Sequence, residues 1–389
     1  VLRTKLDHRA DFLAPQASLR LNRYGAGVIA PAGAYAPKDK SFLVLFFKKE
    51  PLFLSLILCF GVRVAPGFNV KKGASVLRQT IALFAALALL VSARPAVGAD
   101  KIRLGILPFS EALGAVLADK EGFFAEEGIA VESTSFNSGA LALPLIQAGK
   151  LDIALSNTVS TLQAMEQGLD ATILAPGAVV RDTAPDSTSA LLVLKDTFKE
   201  PKDLIGKRIA VNVINSTAWL YLVAYLEQHG VSRNQVRFLE VPFPQMNDPL
   251  LNKQLDAINQ VEPFSTIMLD TGKVDALAYS YVDTQPGGDI TQYLALTEWV
   301  KQHPDLAKRF ARAIIKGSAF ANAPANQAET REVNMTFTHL NPALKDKVQI
   351  PRMGTAVNAG EISKTMDLML HYGIMKQKVD LDGHILTVQ

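Results

Sequence analysis

From Lys101 onward, short apolar runs alternate with longer stretches whose apolar positions recur every three or four residues, the signature of strands alternating with amphipathic helices. Residues 101–107 read as a strand with Ile102, Leu104 and Ile106 on one face, and a helix follows over 111–120. The pattern repeats as a strand over 129–136, a helix over 141–148 stopped by Gly149, a strand over 151–155, a helix over 159–167 stopped by Gly168, and a strand over 171–180. Such a succession predicts an α/β fold with a largely parallel sheet.

The polar stretch 181–188 interrupts the series, and the apolar run 189–194 leads into a second one. Strands are predicted over 207–213, 236–241 and 255–261, with a helix over 219–228 ending at His229-Gly230. A return strand is expected over 290–296, and helices over 304–323 and 359–375. The chain is therefore expected to leave one lobe, 100–194, build a second over 195–289, and complete the first with 290–389. Two crossings between lobes make a hinge with a cleft beneath it.

Charge is divided unevenly. Residues 1–99 hold 14 Lys and Arg against 4 Asp and Glu, so the rest of the chain carries 26 against 33. The acidic remainder, without a basic cluster, argues against nucleic acid as a partner. Residues 70–99 have the parts of a secretory signal: Lys71, Lys72 and Arg78, then the apolar run 81–91, then Val97-Gly98-Ala99. Cleavage is expected after Ala99, with a periplasmic destination, because the apolar run is too short for a membrane anchor. Residues 1–69 are expected to be an upstream, non-native segment, with Val70 as a candidate start ahead of Lys71. The single cysteine, Cys59, falls in this leader, so the expected mature chain has no thiol for a disulfide or a nucleophile.

In open α/β sheets ligands sit beyond the carboxyl ends of the strands, where helices begin. Those turns here read Pro108-Phe109-Ser110, Asn137-Ser138-Gly139, Ser156-Asn157-Thr158 and Asn215-Ser216-Thr217. Small hydroxyl and amide residues at helix starts serve as caps, and the free N–H groups beside them also hold anions. Any one turn reads as plain capping. Four of them around one cleft point to binding. Glu262, with Phe264 two residues on, closes the strand 255–261 and faces the same cleft, to accept from a ligand amine or hydroxyl or to pair with a nearby cation. Trp219 and Phe109 are candidates to stack on a flat ligand or to fill the core, and Arg181 either meets an anion or stays in solvent beside Asp182.

Catalytic motifs do not stand out: neither a GxSxG elbow, a phosphate loop nor HExxH is present. His229, His303, His339, His371 and His384 are scattered without partners at metal-ligand spacing. No metal, cofactor or catalytic residue is expected.

Five stretches in order, KIRLGILPFSEALGAVLADKEGFFAEEGIAVE, FNSGALALPLIQAGKLDIALSN, DLIGKRIAVNVINSTAWLYLVAYLEQHGV, LDAINQVEPF and EWVKQHPDLAKRFARAII, resemble the nitrate, sulfonate and taurine family of ABC-transporter periplasmic binding proteins, which includes receptors for thiamine-pyrimidine precursors. The resemblance implies a type II periplasmic-binding-protein fold: two α/β lobes on a two-crossing hinge that close on a small-molecule ligand and present it to an inner-membrane ABC permease. It implies that the turns at Ser110, Ser138, Ser156, Ser216 and Glu262 line the cleft. A monomer holding a small anion such as a sulfonate, nitrate or organic carboxylate is expected. The alternatives are a neutral or aromatic solute such as a thiamine-pyrimidine precursor, a pyrimidine-synthase-like enzyme, which relies on a cysteine-rich motif, and the sensing half of a LysR-type regulator, which needs a basic DNA-binding helix upstream. Asn252-Lys253-Gln254 stands where the family usually has a glycine, and Glu262 where sulfonate receptors often have aspartate.

Overall fold

The computed structural model describes residues 98–388. The upstream segment 1–69 and all but the last two residues of the expected signal lie outside them. Two five-stranded sheets organise the described chain. The first contains β1 (Asp100–Ile106), β2 (Ile129–Ser135), β3 (Ile153–Asn157), β4 (Ala171–Pro176) and β11 (Thr291–Leu296), in the order β2-β1-β3-β11-β4. The second contains β6 (Ala190–Leu194), β7 (Arg208–Val211), β8 (Arg237–Glu240), β9 (Ala257–Gln260) and β10 (Val274–Ala278), in the order β10-β6-β9-β7-β8.

The two sheets share one plan. β11 runs antiparallel to both β3 and β4, and β6 runs antiparallel to both β9 and β10. In each lobe the reversed strand is the one that has just crossed from the other lobe, so it arrives from the opposite direction. The sheets are therefore mixed, and the expectation of largely parallel sheets needs that amendment. The first crossing also comes earlier than expected. Residues 190–194 hydrogen-bond into the second sheet through register pairs such as Leu192 with Ile258, so the second lobe starts near 190 and not at 195. The polar stretch 181–189 is itself the link.

Side-chain alternation shows on β1, which lies between β2 and β3. On β1, Ile102 and Leu104 are buried while Lys101 and Arg103 face solvent. β4 and β6 are covered on both faces and read as continuous apolar runs. A matching ion pair joins β1 to β3 in the first lobe and β7 to β9 in the second. Arg103 on β1 donates its backbone N–H (2.8 Å) and Nε (3.0 Å) to Asp152, just before β3. Arg208 on β7 does the same to Asp256, just before β9, at 2.8 and 2.9 Å.

The helices α1 (Leu113–Lys120), α2 (Leu143–Gln147), α3 (Thr158–Glu166), α4 (Thr217–Gln228), α5 (Phe264–Asp270), α6 (Pro304–Asn322) and α7 (Ala359–His371) cover the sheets. Ala307, Phe310, Ala311, Ile314, Gly317 and Ala321 form the buried stripe of α6. α6 crosses α1 closely at Gly317, where a Cβ would come within 2.8 Å of the Ala118 nitrogen. β10, α5 and the short helix Ser280–Thr284 had no counterpart in the sequence reading, because each is short and their apolar pattern is broken by Thr271-Gly272-Lys273 and Tyr279-Ser280.

α7 lies over the hinge. Tyr221 on α4 donates to Gln285 (3.2 Å), and Gln285 Nε2 donates to the Glu361 backbone carbonyl (2.9 Å) and carboxylate (3.0 Å) on α7. The C-terminal residues then run beside β4, where the Ile173 N–H donates to the His384 carbonyl and the Leu386 N–H to the Ile173 carbonyl, each at 2.8 Å. That covers the open edge of the first sheet.

Candidate ligand-binding site

The turns that follow the strands of both lobes meet at one small cavity. Its walls are Leu107, Phe109, Glu111, Asn137, Ser138, Asn157 and Ile290 from the first lobe, and Asn212, Ser216, Ala218, Phe243 and Tyr281 from the second. Of the residues expected from the sequence, Phe109, Asn137, Ser138, Asn157 and Ser216 are brought together here. The free volume is only ≈ 20 Å³, room for about one water. A ligand of a few heavy atoms therefore enters only when the lobes part, and this is a closed arrangement.

Four buried serines of the first lobe have hydroxyls without a hydrogen-bond partner among the described residues, Ser318 on α6 and three on turns after strands. Ser110, Ser138 and Ser156 are buried, and none of their hydroxyls has a hydrogen-bond partner. Buried hydroxyls are nearly always satisfied, because desolvating one without a partner costs on the order of 1–3 kcal/mol. Each follows a different strand, β1, β2 and β3. The turns after β2 and β3 lie directly against one another at Gly139, whose missing Cβ would come within 2.9 Å of the Leu155 carbonyl oxygen and closer still to Ser156 Cα. Glycine is needed there by space alone.

Contacts between the lobes surround the cavity. Phe109 reaches across to the second lobe and meets Phe243 and Phe264 edge-on, at 5.7 and 5.8 Å between ring centroids. Phe264 thus contributes a closure contact, and Phe109 packs against it instead of offering a free ring face. Asn157 Oδ1 caps α3 by accepting from the Ser160 N–H (2.9 Å) and accepts from Thr217 as well. Ser216 caps α4, accepting from the Trp219 N–H at 3.3 Å.

Several expected residues are employed elsewhere. Arg181 lines a separate groove with Asn322, Gln327 and Arg352, donates to the Ile350 carbonyl, and lies 4.0 Å from Asp186, so the end of β5 (Ala178–Val179) turns it away from the cleft. Glu262 is buried but occupied: it accepts from the Thr266 hydroxyl (2.8 Å) and N–H (3.3 Å) and from the Gln349 N–H (3.3 Å). It holds the start of α5 in place of facing the cavity. Trp219 is a core residue, edge-on to Phe238 at 5.9 Å. Thr158 donates to the Asp289 carbonyl at 2.7 Å and ties α3 to the second crossing. Asn215 adopts a left-handed φ of 60° and lines an outer groove with Gln163 and Gln167 of the first lobe. Pro108 is half-buried beside Phe109.

Sequence reasoning missed Glu111, Asn212, Phe243 and Tyr281. The strand-end rule reaches Phe243 once it is applied to β8, and Tyr281 once β10 is recognised. Burial pushes the Glu111 carboxyl up to about 7. Burial also raises the Tyr281 phenol well above its ordinary value, helped by the nearby Glu111 charge. Among the described residues lining the cavity there is no Lys, Arg or His. No group of His, Cys, Asp and Glu able to hold a metal ion occurs among the described residues, and none of their helices is long and apolar enough to cross a membrane.

Comparison with known proteins gives the geometry its context. Residues 110–328 match the family described as NMT1/THI5-like. The chain is 27% identical over 242 residues to the taurine-binding periplasmic protein of Escherichia coli K12, covering 60% of this chain and 69% of that one. The alkanesulfonate-binding protein of Xanthomonas axonopodis pv. citri, solved bound to MOPS, superposes with a TM-score of 0.63 at 16% identity, over 75% of this chain and 99% of the other. The periplasmic aliphatic sulphonate binding protein of Escherichia coli gives a TM-score of 0.60 at 18% identity, over 74% and 97%. At these identities the solved structures speak to the fold alone.

Proposed function

Given that the chain belongs to the NMT1/THI5-like family and has the fold of the nitrate, sulfonate and taurine periplasmic binding proteins, we propose that it is the extracytoplasmic receptor of an ABC importer, binding a small sulfonate, nitrate or carboxylate between its lobes. The observation that carries this reading is the set of buried, unpartnered hydroxyls of Ser110, Ser138 and Ser156 on turns beside a cavity that both lobes enclose. An anion supplies the acceptor each hydroxyl lacks, and the backbone N–H groups at the starts of α3 and α4 add donors without a formal charge.

In the proposed cycle the open form takes ligand on the first lobe. The second lobe then brings Ser216, Phe243 and Tyr281 over it, water is excluded, and the hydrogen bonds strengthen. The closed shape is what the permease recognises. Export with cleavage after Ala99, action as a monomer and the absence of a catalytic role are parts of the same proposal. Calorimetric titration with alkanesulfonates, nitrate, carboxylates and pyrimidines tests it, with small-angle scattering to follow closure. Saturable binding with a smaller radius of gyration supports the receptor. Lack of binding to every class, with lobes that do not move, would end it.

A further inference from the structure

A separate groove of ≈ 420 Å³ lies away from the interlobe cavity, and the charged residues among its described walls are Arg181 and Arg352. The short ribbon of β5 and β12 (Arg352–Met353) puts both there. Its antiparallel register pairs Arg352 with Val179, and Arg181 follows two residues beyond Val179. The amide walls are already occupied. Asn322 donates to the Met353 carbonyl (2.7 Å) and accepts from the Met353 N–H (3.0 Å), and Gln327 Nε2 donates to the Ala321 carbonyl (2.7 Å). Pro324, Ile350 and Pro351 make the rest largely apolar.

A guanidinium carries five N–H donors in a fork that fits a planar carboxylate. Arg181 commits one nitrogen to the Ile350 carbonyl at 2.5 Å, and its Nε is buried without a hydrogen-bond partner. Asp186 lies 4.0 Å from that Nε, too far for a hydrogen bond, and is itself fully buried and accepts from the Thr188 N–H at 3.2 Å. Arg352 commits one nitrogen to Asp182 at 2.6 Å, but this carboxylate is 72% exposed, so the pair is solvated and worth little. Both arginines therefore keep donors to spare, and the carboxylate that competes for Arg352 is held in water.

We propose that this groove is a second binding site, for a small organic acid. The carboxylate of the acid bridges Arg181 and Arg352 and displaces Asp182, and its apolar body lies against Pro324 and Pro351. An inorganic oxoanion is a poorer fit, because the prolines strip its water and return no hydrogen bond. The site goes beyond the receptor reading and does not rest on it, since none of its walls lines the interlobe cavity. Arg181 opens the 181–189 link, so the groove stands at the root of the first crossing.

The test is a fluorine NMR titration of 4-fluorobenzoate into the wild-type chain, Arg352→Gln, Asp182→Asn and, as a control for the interlobe cavity, Ser156→Ala. The wild type and Ser156→Ala are expected to share one binding event of equal affinity. Arg352→Gln is expected to weaken that event by roughly 10-fold or more, as loss of charge-assisted hydrogen bonds does. Asp182→Asn is expected to strengthen it about two- to fivefold by freeing the guanidinium, a gain that misfolding does not produce. 4-Fluorobenzamide, which lacks the charge, and inorganic phosphate, which lacks the apolar body, should each bind roughly 10-fold more weakly than 4-fluorobenzoate. Three results overturn the inference: no binding of 4-fluorobenzoate, binding that Ser156→Ala abolishes and Arg352→Gln leaves intact, or an amide or phosphate that binds as well as the benzoate. Each of them leaves the receptor standing. A chain that takes 4-fluorobenzoate in this groove but no ligand between its lobes ends the receptor proposal alone.

Discussion

The side-chain oxygen of Asn157, on the first lobe, accepts from both the backbone N–H and the hydroxyl of Thr217 on the second, each at 3.3 Å. The Thr217 hydroxyl in turn accepts from the Val159 N–H at 3.2 Å. The helix starts of α3 and α4 are thereby joined across the cleft, and every one of these bonds breaks when the lobes part.

Thr217→Val keeps the shape and removes both hydroxyl bonds. Because they exist only in the closed form, their loss shifts the open–closed balance by about 1–2 kcal/mol, so ligand affinity is expected to fall roughly tenfold. The melting temperature should hardly change, since neither lobe loses an internal contact. Titration calorimetry beside thermal melts checks this; equal affinity in the variant means that the bridge does not contribute to closure.

Ser156→Ala removes a hydroxyl that bonds to nothing in the free chain, so its stability should be unchanged or slightly raised. Ligand affinity should drop by roughly 10- to 100-fold if the hydroxyl donates to a charged group. Gly139→Ala should cost binding by another route, because its Cβ forces the Ser138 turn away from Ser156. That variant is expected to lose about 1–3 kcal/mol of stability as well, as overpacked sites do. A Ser156→Ala chain that melts several degrees lower with affinity intact would place the serine in the core instead.

Legibility of this site in the sequence tracked strand recognition. Phe109, Asn157 and Ser216 follow strands with clear apolar patterns, Asn137 and Ser138 follow β2, which is apolar only at its start, and the strand-end rule found all five. Glu111 sits inside the first helical turn, where an acid is ordinary and its burial cannot be read from residue type. Tyr281 follows β10, a strand of five residues with three half-buried positions, too weakly patterned to read. Glu262 and Arg181 misled because residue type shows that a charge needs a partner but not where the partner lies. For Glu262 it comes from Thr266 and Gln349, the latter 87 residues on. The two-lobe plan was legible because both lobes repeat it, but the boundary at 190 was not, since an apolar strand looks alike in either sheet.

The paired locks Arg103–Asp152 and Arg208–Asp256 should govern acid stability. Burial raises the Asp152 pKa, but the Arg103 hydrogen bonds outweigh it and hold the carboxyl below its ordinary value. For Asp256 the Arg208 side-chain bond leads, with the same outcome. A depressed folded-state pKa stabilises above the unfolded value near 4 and is lost as pH falls through the folded one. Asp152→Asn and Asp256→Asn should each lower the melting temperature at pH 7 and converge on the wild type in acid, once pH has fallen through the folded-state pKa. A variant with the same deficit at both pH values would show that the bond geometry matters and the charge does not.

Glu111 and Asp289 act in the opposite sense at higher pH. Burial pushes each carboxyl up to about 7, for Asp289 against the bonds from Gln292 and the Asn358 backbone and with the charge of Glu361 adding to the rise. The folded chain then holds protons that the unfolded chain has already released above pH 4 to 5, so stability is greatest below that range and declines as pH climbs through 7. Each group is worth on the order of 3 kcal/mol over that span, which for a chain of this size is a fall in melting temperature of roughly 10 °C for the pair. Differential scanning calorimetry of the ligand-free protein between pH 5 and 8.5 should show the decline, and Glu111→Gln should flatten about half of it. A Glu111→Gln curve parallel to the wild type over the whole range would mean that Glu111 is already ionised in the closed cavity and has a counter-charge there.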